Sequence, residues 1–137
     1  MNRGKIIIDG VRGAKLIICG ELPEKHEFDT LYFLRDYCHK VVETVPASKS
    51  QGSRTPDIKI DGLFWEMKSP RGTGKYTIEH CLKAASKQCE NVILDLRRMN
   101  GSYRRYLPKV EREFKGNYRL KRLLVITKAQ KTIEFKK

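Results

Sequence analysis

The stretch Thr55-Pro56-Asp57-Ile58-Lys59-Ile60-Asp61-Gly62-Leu63-Phe64-Trp65-Glu66-Met67-Lys68 decides how the rest of the chain is read. It describes two short strands joined at Asp61-Gly62, a dipeptide that accepts the positive φ angles of a tight hairpin turn. Side chains alternate along a strand, so Phe64, Glu66 and Lys68 point one way while Leu63, Trp65 and Met67 point the other. Two opposite charges are thereby fixed side by side on an otherwise apolar strand. On the preceding strand Ile58 and Ile60 are the expected buried positions, which leaves Asp57 to face Glu66. Two acids and a lysine converging on one patch can hold a divalent cation and a water molecule, the outline of a phosphodiesterase centre. The competing reading is an ordinary cross-strand salt bridge, worth little on a surface.

The balance of charge points to the same chemistry. The 137 residues carry 29 Lys and Arg against 16 Asp and Glu, a formal charge of +13. These cations are spread from end to end, so the expected partner is a polyanion met by the folded surface, nucleic acid first. The plainer alternative is a domain that is merely basic. One domain over residues 1–137 is expected, with residues 1–20 a peripheral hairpin and residues 21–137 the core. No apolar run is long enough to span a bilayer, and the N-terminus lacks a signal-peptide pattern. Met1 is compatible with a start codon placed on a domain cut from a longer protein. Cys19, Cys38, Cys81 and Cys89 form no C-x-x-C pair and no zinc-ligand spacing with His26, His39 or His80. Buried free thiols at a reducing site of action are expected.

On either side of the central stretch the pattern alternates between strand and helix. Lys5–Ile8 and Lys15–Cys19 read as a hairpin around Asp9-Gly10 and Arg12-Gly13. Leu22 to Glu27 opens a helix, where acids and proline suit the first turn, and Phe28, Leu31, Leu34 and Tyr37-Cys38 make its buried stripe. Lys40–Val45 is a strand, and Pro46–Arg54 a loop whose Lys49 and Arg54 are flexible cations. Ser69–Lys75 lacks the G-x-x-x-x-G-K-[ST] pattern and reads as a basic loop, with Arg71 and Lys75 as candidate phosphate contacts. Tyr76–Cys89 is a helix burying Ile78, Cys81, Leu82 and Ala85, with Gln88 at the border of that face. Asn91–Leu96 is a buried central strand. Arg97-Arg98, then Arg104-Arg105 between Tyr103 and Tyr106, form a basic and aromatic cluster suited to phosphates and unpaired bases, although the tyrosines equally suit a core. A short helix over Lys109–Phe114 and a strand over Leu120–Thr127 follow, then Lys131–Phe135. The order predicts an α/β fold, a mixed sheet flanked by helices.

Pro56-Asp57, followed after the hairpin by Glu66-Met67-Lys68, resembles the core motif of the PD-(D/E)xK nuclease superfamily, the restriction-endonuclease-like fold. His26-Glu27, Ala84-Ala85-Ser86-Lys87-Gln88 and Leu123-Leu124-Val125-Ile126 extend the likeness from about Glu24 onward. In this wider context the chain is similar to the C-terminal tRNase toxin domains of contact-dependent growth inhibition (CdiA) proteins. The resemblance implies a divalent metal, Mg²⁺ or a similar ion, on Asp57, Glu66 and the Met67 carbonyl, with Lys68 positioning the water. It implies that an acid of the first helix joins the site. Glu27 matches best, ahead of Glu24 and Asp29, and the alternative for it is a helix-start acid. Gln88 is implied as an active-site neighbour, with ordinary helix polarity as its alternative. Also implied are tRNA as substrate, a cognate immunity protein that this charge makes acidic, and delivery from a secreted or cell-surface toxin to the target-cell cytoplasm. A monomer is expected when the partner is absent. The rival functions are a DNA endonuclease of the same fold and a non-catalytic nucleic-acid-binding module.

Overall fold

The computed structural model describes residues 5–46, 56–72, 76–101 and 103–137, with the side chains of residues 103 and 104 left out. Among these residues are eight strands and three helices, a mixed α/β fold as expected. The chain divides into two compact units, Met1–Trp65 and Glu66–Lys137.

The first unit begins with the predicted hairpin, β1 (Ile6–Asp9) antiparallel to β2 (Lys15–Ile18). It is less peripheral than its position in the sequence suggests. β2 runs parallel to β3 (Val41–Thr44), and the helix α1 (Lys25–Asp36) forms the crossover between them. Leu16, Ile18 and Val42 are buried on one face, together with Leu31, Phe33 and Leu34 of α1. The helical stripe therefore includes Phe33, whereas Tyr37 is exposed and stacks on Phe33 with ring centroids 4.8 Å apart. β4 (Ile58–Ile60) joins β3 antiparallel, and the Leu63–Trp65 half of β5 (Leu63–Lys68) pairs with β4. The turn between β4 and β5 places Asp61 at φ 51° and Gly62 at φ 80°. Two consecutive positive φ angles define a type I′ hairpin, whose twist matches that of the strands. Ile58 and Trp65 are buried as a cross-strand pair, while their neighbours Lys59 and Phe64 are exposed, with the Lys59 ammonium 5.7 Å from the Phe64 ring centre.

In the second unit the Glu66–Lys68 half of β5 pairs in parallel with β6 (Asn91–Asp95), and β6 pairs in parallel with β7 (Arg122–Ile126). β8 (Thr132–Lys136) closes this sheet antiparallel to β7. The crossovers are α2 (Thr77–Ser86) and α3 (Tyr103–Gly116). Every residue of β6 is buried, as a central parallel strand requires. Its Val92 and Leu94, with Leu123 and Val125 of β7, pack against Ile78, Leu82 and Ala85 of α2 and Tyr106, Val110 and Phe114 of α3. α3 starts six residues earlier than the sequence suggests and runs through Pro108, which gives up one main-chain bond to the first turn.

Candidate active site

The site is assembled from β5 outward, each unit by itself. In the second unit, Glu66 is opposite Val92 and Lys68 opposite Leu94, so both charged side chains lie on the sheet face that α2 covers. Glu66 is only 7 % exposed. The Lys68 ammonium stands 3.8 Å from Glu66 Oε2, and its own side chain is partly open to solvent. A buried carboxylate carries a large desolvation cost unless a cation or hydrogen bonds offset it, and Lys68 is such a cation. Two cysteines report on the same charges. Burial pushes the Cys81 thiol up, and the Lys68 ammonium opposes that shift. Burial also pushes Cys89 up, and the Glu66 carboxylate adds to the shift. Among the described residues the four cysteines form no disulfide and are only partly buried, against the expectation that Cys19 and Cys81 are buried. Beside Lys68, the buried Ser69 hydroxyl has no hydrogen-bond partner among the described residues, and no spacing in the sequence singles it out.

Asp57 belongs to the first unit, half-buried, one residue ahead of β4. Its main-chain N–H donates to the Trp65 carbonyl at 3.1 Å, and its carbonyl accepts from the Val45 N–H at 2.9 Å. The ladder of that unit ends at Ile58 and Trp65, and Asp57 is the residue before Ile58. In the same unit, Glu27 is the third residue of α1, and its Oε1 accepts the Glu24 N–H at 2.8 Å. That bond is the reciprocal half of a capping box and accounts for the acid by helix chemistry. Gln88 lies past the end of α2 and is exposed; its N–H donates to the Ala85 carbonyl at 2.9 Å.

The loops at the C-terminal ends of β5 and β6 meet. Gly72 and Met99 form an isolated parallel bridge, and the Asn100 N–H donates to the Gly72 carbonyl at 3.1 Å. Arg71 and Arg98 precede the two bridging residues, so the bridge sets them at neighbouring positions. Gly72, at φ 83°, adopts a conformation that suits glycine. Open α/β sheets bind ligands beyond the carboxyl ends of parallel strands, where these arginines are. Arg97 differs from its neighbour. Its main-chain N–H and its Nε donate to Asp95 Oδ1 at 3.1 and 2.9 Å, and its Nη2 donates to Oδ2 at 2.7 Å. Asp95 is 2 % exposed, so this guanidinium neutralises a buried carboxylate. Tyr106 is buried as well, and its hydroxyl donates to the Asn100 carbonyl. Of the two readings of that tyrosine, the core one holds. Arg105 is exposed nearby, within reach of Gly101. Lys49, Arg54 and Lys75 lie outside the described residues.

Among the described residues no group of three or more His, Cys, Asp and Glu side chains is gathered to hold a metal. The donors expected for one are instead two carboxylates and a main-chain carbonyl. An all-oxygen set of that size suits a hard cation such as Mg²⁺, which keeps several of its waters. Among the described residues no helix is long and apolar enough to cross a membrane.

Comparison with known proteins places these elements. One solved structure, the CdiA-CT/CdiI toxin and immunity complex from Burkholderia pseudomallei, superposes with a TM-score of 0.58 at 16 % identity, covering 88 % of this chain and 98 % of that one. At that identity the likeness is one of fold. No curated protein matches the sequence. The profile of the contact-dependent growth inhibition CdiA C-terminal domain matches residues 54–132, a span that contains Asp57, Glu66 and Lys68 and excludes Glu27. On that match, the chain belongs to the family of contact-dependent growth inhibition CdiA C-terminal domains.

Proposed function

We propose that this toxin domain is a metal-dependent ribonuclease of the PD-(D/E)xK type, hydrolysing phosphodiester bonds in tRNA in the cytoplasm of the target cell. The observation that carries the reading is the buried Glu66 carboxylate 3.8 Å from the Lys68 ammonium, on the strand that follows the Asp57 hairpin. A buried ion pair is a poor source of stability, since apolar residues of similar volume often serve as well or better. Asp57, Glu66 and the Met67 carbonyl would hold the cation, which when bound supplies Lewis-acid neutralisation of phosphate charge. The remaining work falls to the chain itself. Glu66 holds the Lys68 ammonium in place; Lys68 donates to the attacking water and to the phosphate oxygen on which charge develops. Arg71 and Arg98 seat the neighbouring phosphates, and the charge of +13 raises the local concentration of RNA.

The similar Burkholderia domain is paired with an immunity protein. By extension this chain, a monomer when free, is neutralised by an acidic cognate partner, since complementary potentials speed encounter. Incubation of the purified chain with total tRNA and with plasmid DNA, each with Mg²⁺ and with EDTA, tests the function. Mg²⁺-dependent loss of tRNA is expected. Cleavage of plasmid alone would make it a DNA endonuclease, and binding without cleavage would make it a non-catalytic module.

A further inference from the structure

Outside the arginine loops, the second unit carries an exposed aromatic pair. Tyr76, at the start of α2, is 52 % exposed. Its ring stacks on that of the exposed His80 one turn later, with centroids 6.1 Å apart and planes 25° apart. From α3, the Lys109 ammonium stands 5.5 Å from the centre of the Tyr76 ring. One turn earlier on the same face is Arg105, about 6 Å away along the helix axis. Arg105 also lies against Gly101, next to the Gly72–Met99 bridge that sets Arg71 and Arg98 together. Cations and aromatic rings thus follow one another along a single edge of the unit.

We infer that this edge is a binding strip for an unpaired stretch of RNA: Arg105 and Lys109 hold successive phosphates, and Tyr76 with His80 stacks a base. The inference rests on the nucleic-acid reading above and narrows it to single-stranded rather than duplex substrate. An exposed aromatic ring is a stacking platform, and every base offers a π-face to it. A duplex keeps its bases stacked inside and offers only its phosphates. Tyr76 and His80 therefore discriminate between the two, while Lys109 serves both through charge.

Fluorescence anisotropy with a labelled single-stranded oligoribonucleotide and a blunt RNA duplex of equal length tests this. Cleavage is suppressed by Glu66→Gln in every sample. Tyr76→Ala and His80→Ala are each expected to weaken single-strand binding on the order of tenfold, with duplex binding and the salt slope unchanged. Tyr76→Phe, which keeps the ring, should bind as the parent does. Lys109→Ala should lower the single-strand salt slope by about 0.7. Thermal melts verify that each variant folds; because both rings are exposed, near-parental melting is expected. If the parent binds single strands and the alanine variants match it, or if duplex binding falls in parallel, the strip is wrong while the nucleic-acid reading stands. If the parent binds neither oligonucleotide, both fall.

Discussion

Lys68 Nζ lies 3.8 Å from Glu66 Oε2 on one face of β5, the acid buried beneath α2 and the lysine partly open. A side-chain period of two along the strand produces the pair; the parallel neighbour β6 and the helix above it bury the acid. The relationship is measurable without any substrate.

Cys81 and Cys89 supply the probe. Thiolate is the reactive form, and burial raises both thiols above their ordinary range, so each should alkylate slowly near neutral pH. Alkylation should accelerate only as pH rises beyond about 8.5. Lys68→Gln removes a nearby positive charge and should slow Cys81 further; Glu66→Gln removes a negative one and should speed Cys89. Iodoacetamide rates read by peptide mass spectrometry check both signs. The linkage to stability has a defined direction too. A thiol pKa raised in the folded state favours the protonated fold, so this contribution is present below the unfolded pKa and is lost as pH climbs through the folded one.

Arg97 and Arg98 are adjacent in sequence and should behave oppositely. Arg97→Ala takes the guanidinium away from the buried Asp95 carboxylate, a loss of about 3–5 kcal/mol that a urea melt would register. Arg98→Ala should leave the melt nearly unchanged and flatten the salt dependence of RNA affinity by about 0.7–0.9 for each phosphate the side chain had neutralised. Equal stabilities for the two variants would contradict this assignment.

The Glu27 carboxylate accepts the Glu24 N–H at 2.8 Å, which predicts a helix effect rather than a chemical one. Glu27→Gln should retain the capping box and most activity, and Glu27→Ala should cost about 1 kcal/mol. A loss of cleavage on the order of a hundredfold in the glutamine variant would instead put the acid in the chemistry.

The hairpin turn has its own signature. Gly62 at φ 80° is in the left-handed region, so Gly62→Val should cost about 1–3 kcal/mol through backbone strain alone, seen as a lowered melting temperature. Unchanged melting would mean that the turn tolerates rearrangement.

Much of this architecture was legible because its signals are local. Asp61-Gly62 fixes the turn, the alternation of Ile58, Ile60 and Trp65 fixes the buried face, and the apolar run of β6 marks a strand covered on both sides. What was hidden depends on pairing between distant segments. The hairpin of β1 and β2 reads as peripheral until β2 is seen beside β3, joined across twenty-two intervening residues that include α1. The sequence marks a helix only from Lys109, yet packing of Tyr106 and Val110 carries α3 through Pro108. Arg97 and Arg98 look alike in sequence, and only the burial of Asp95 separates them. Ser69 and the Tyr76–His80 pair carry no motif at all, and it is the folded chain that makes one hydroxyl buried and two rings exposed.

The most direct test of the central claim is cleavage of total tRNA, with Mg²⁺ present, by the parent chain and by Asp57→Asn, Glu66→Gln and Lys68→Ala, each first shown to melt as a folded protein. The account predicts that the parent degrades tRNA while each variant loses activity on the order of a hundredfold or more. Parental rates in the folded Glu66→Gln and Lys68→Ala variants would contradict it.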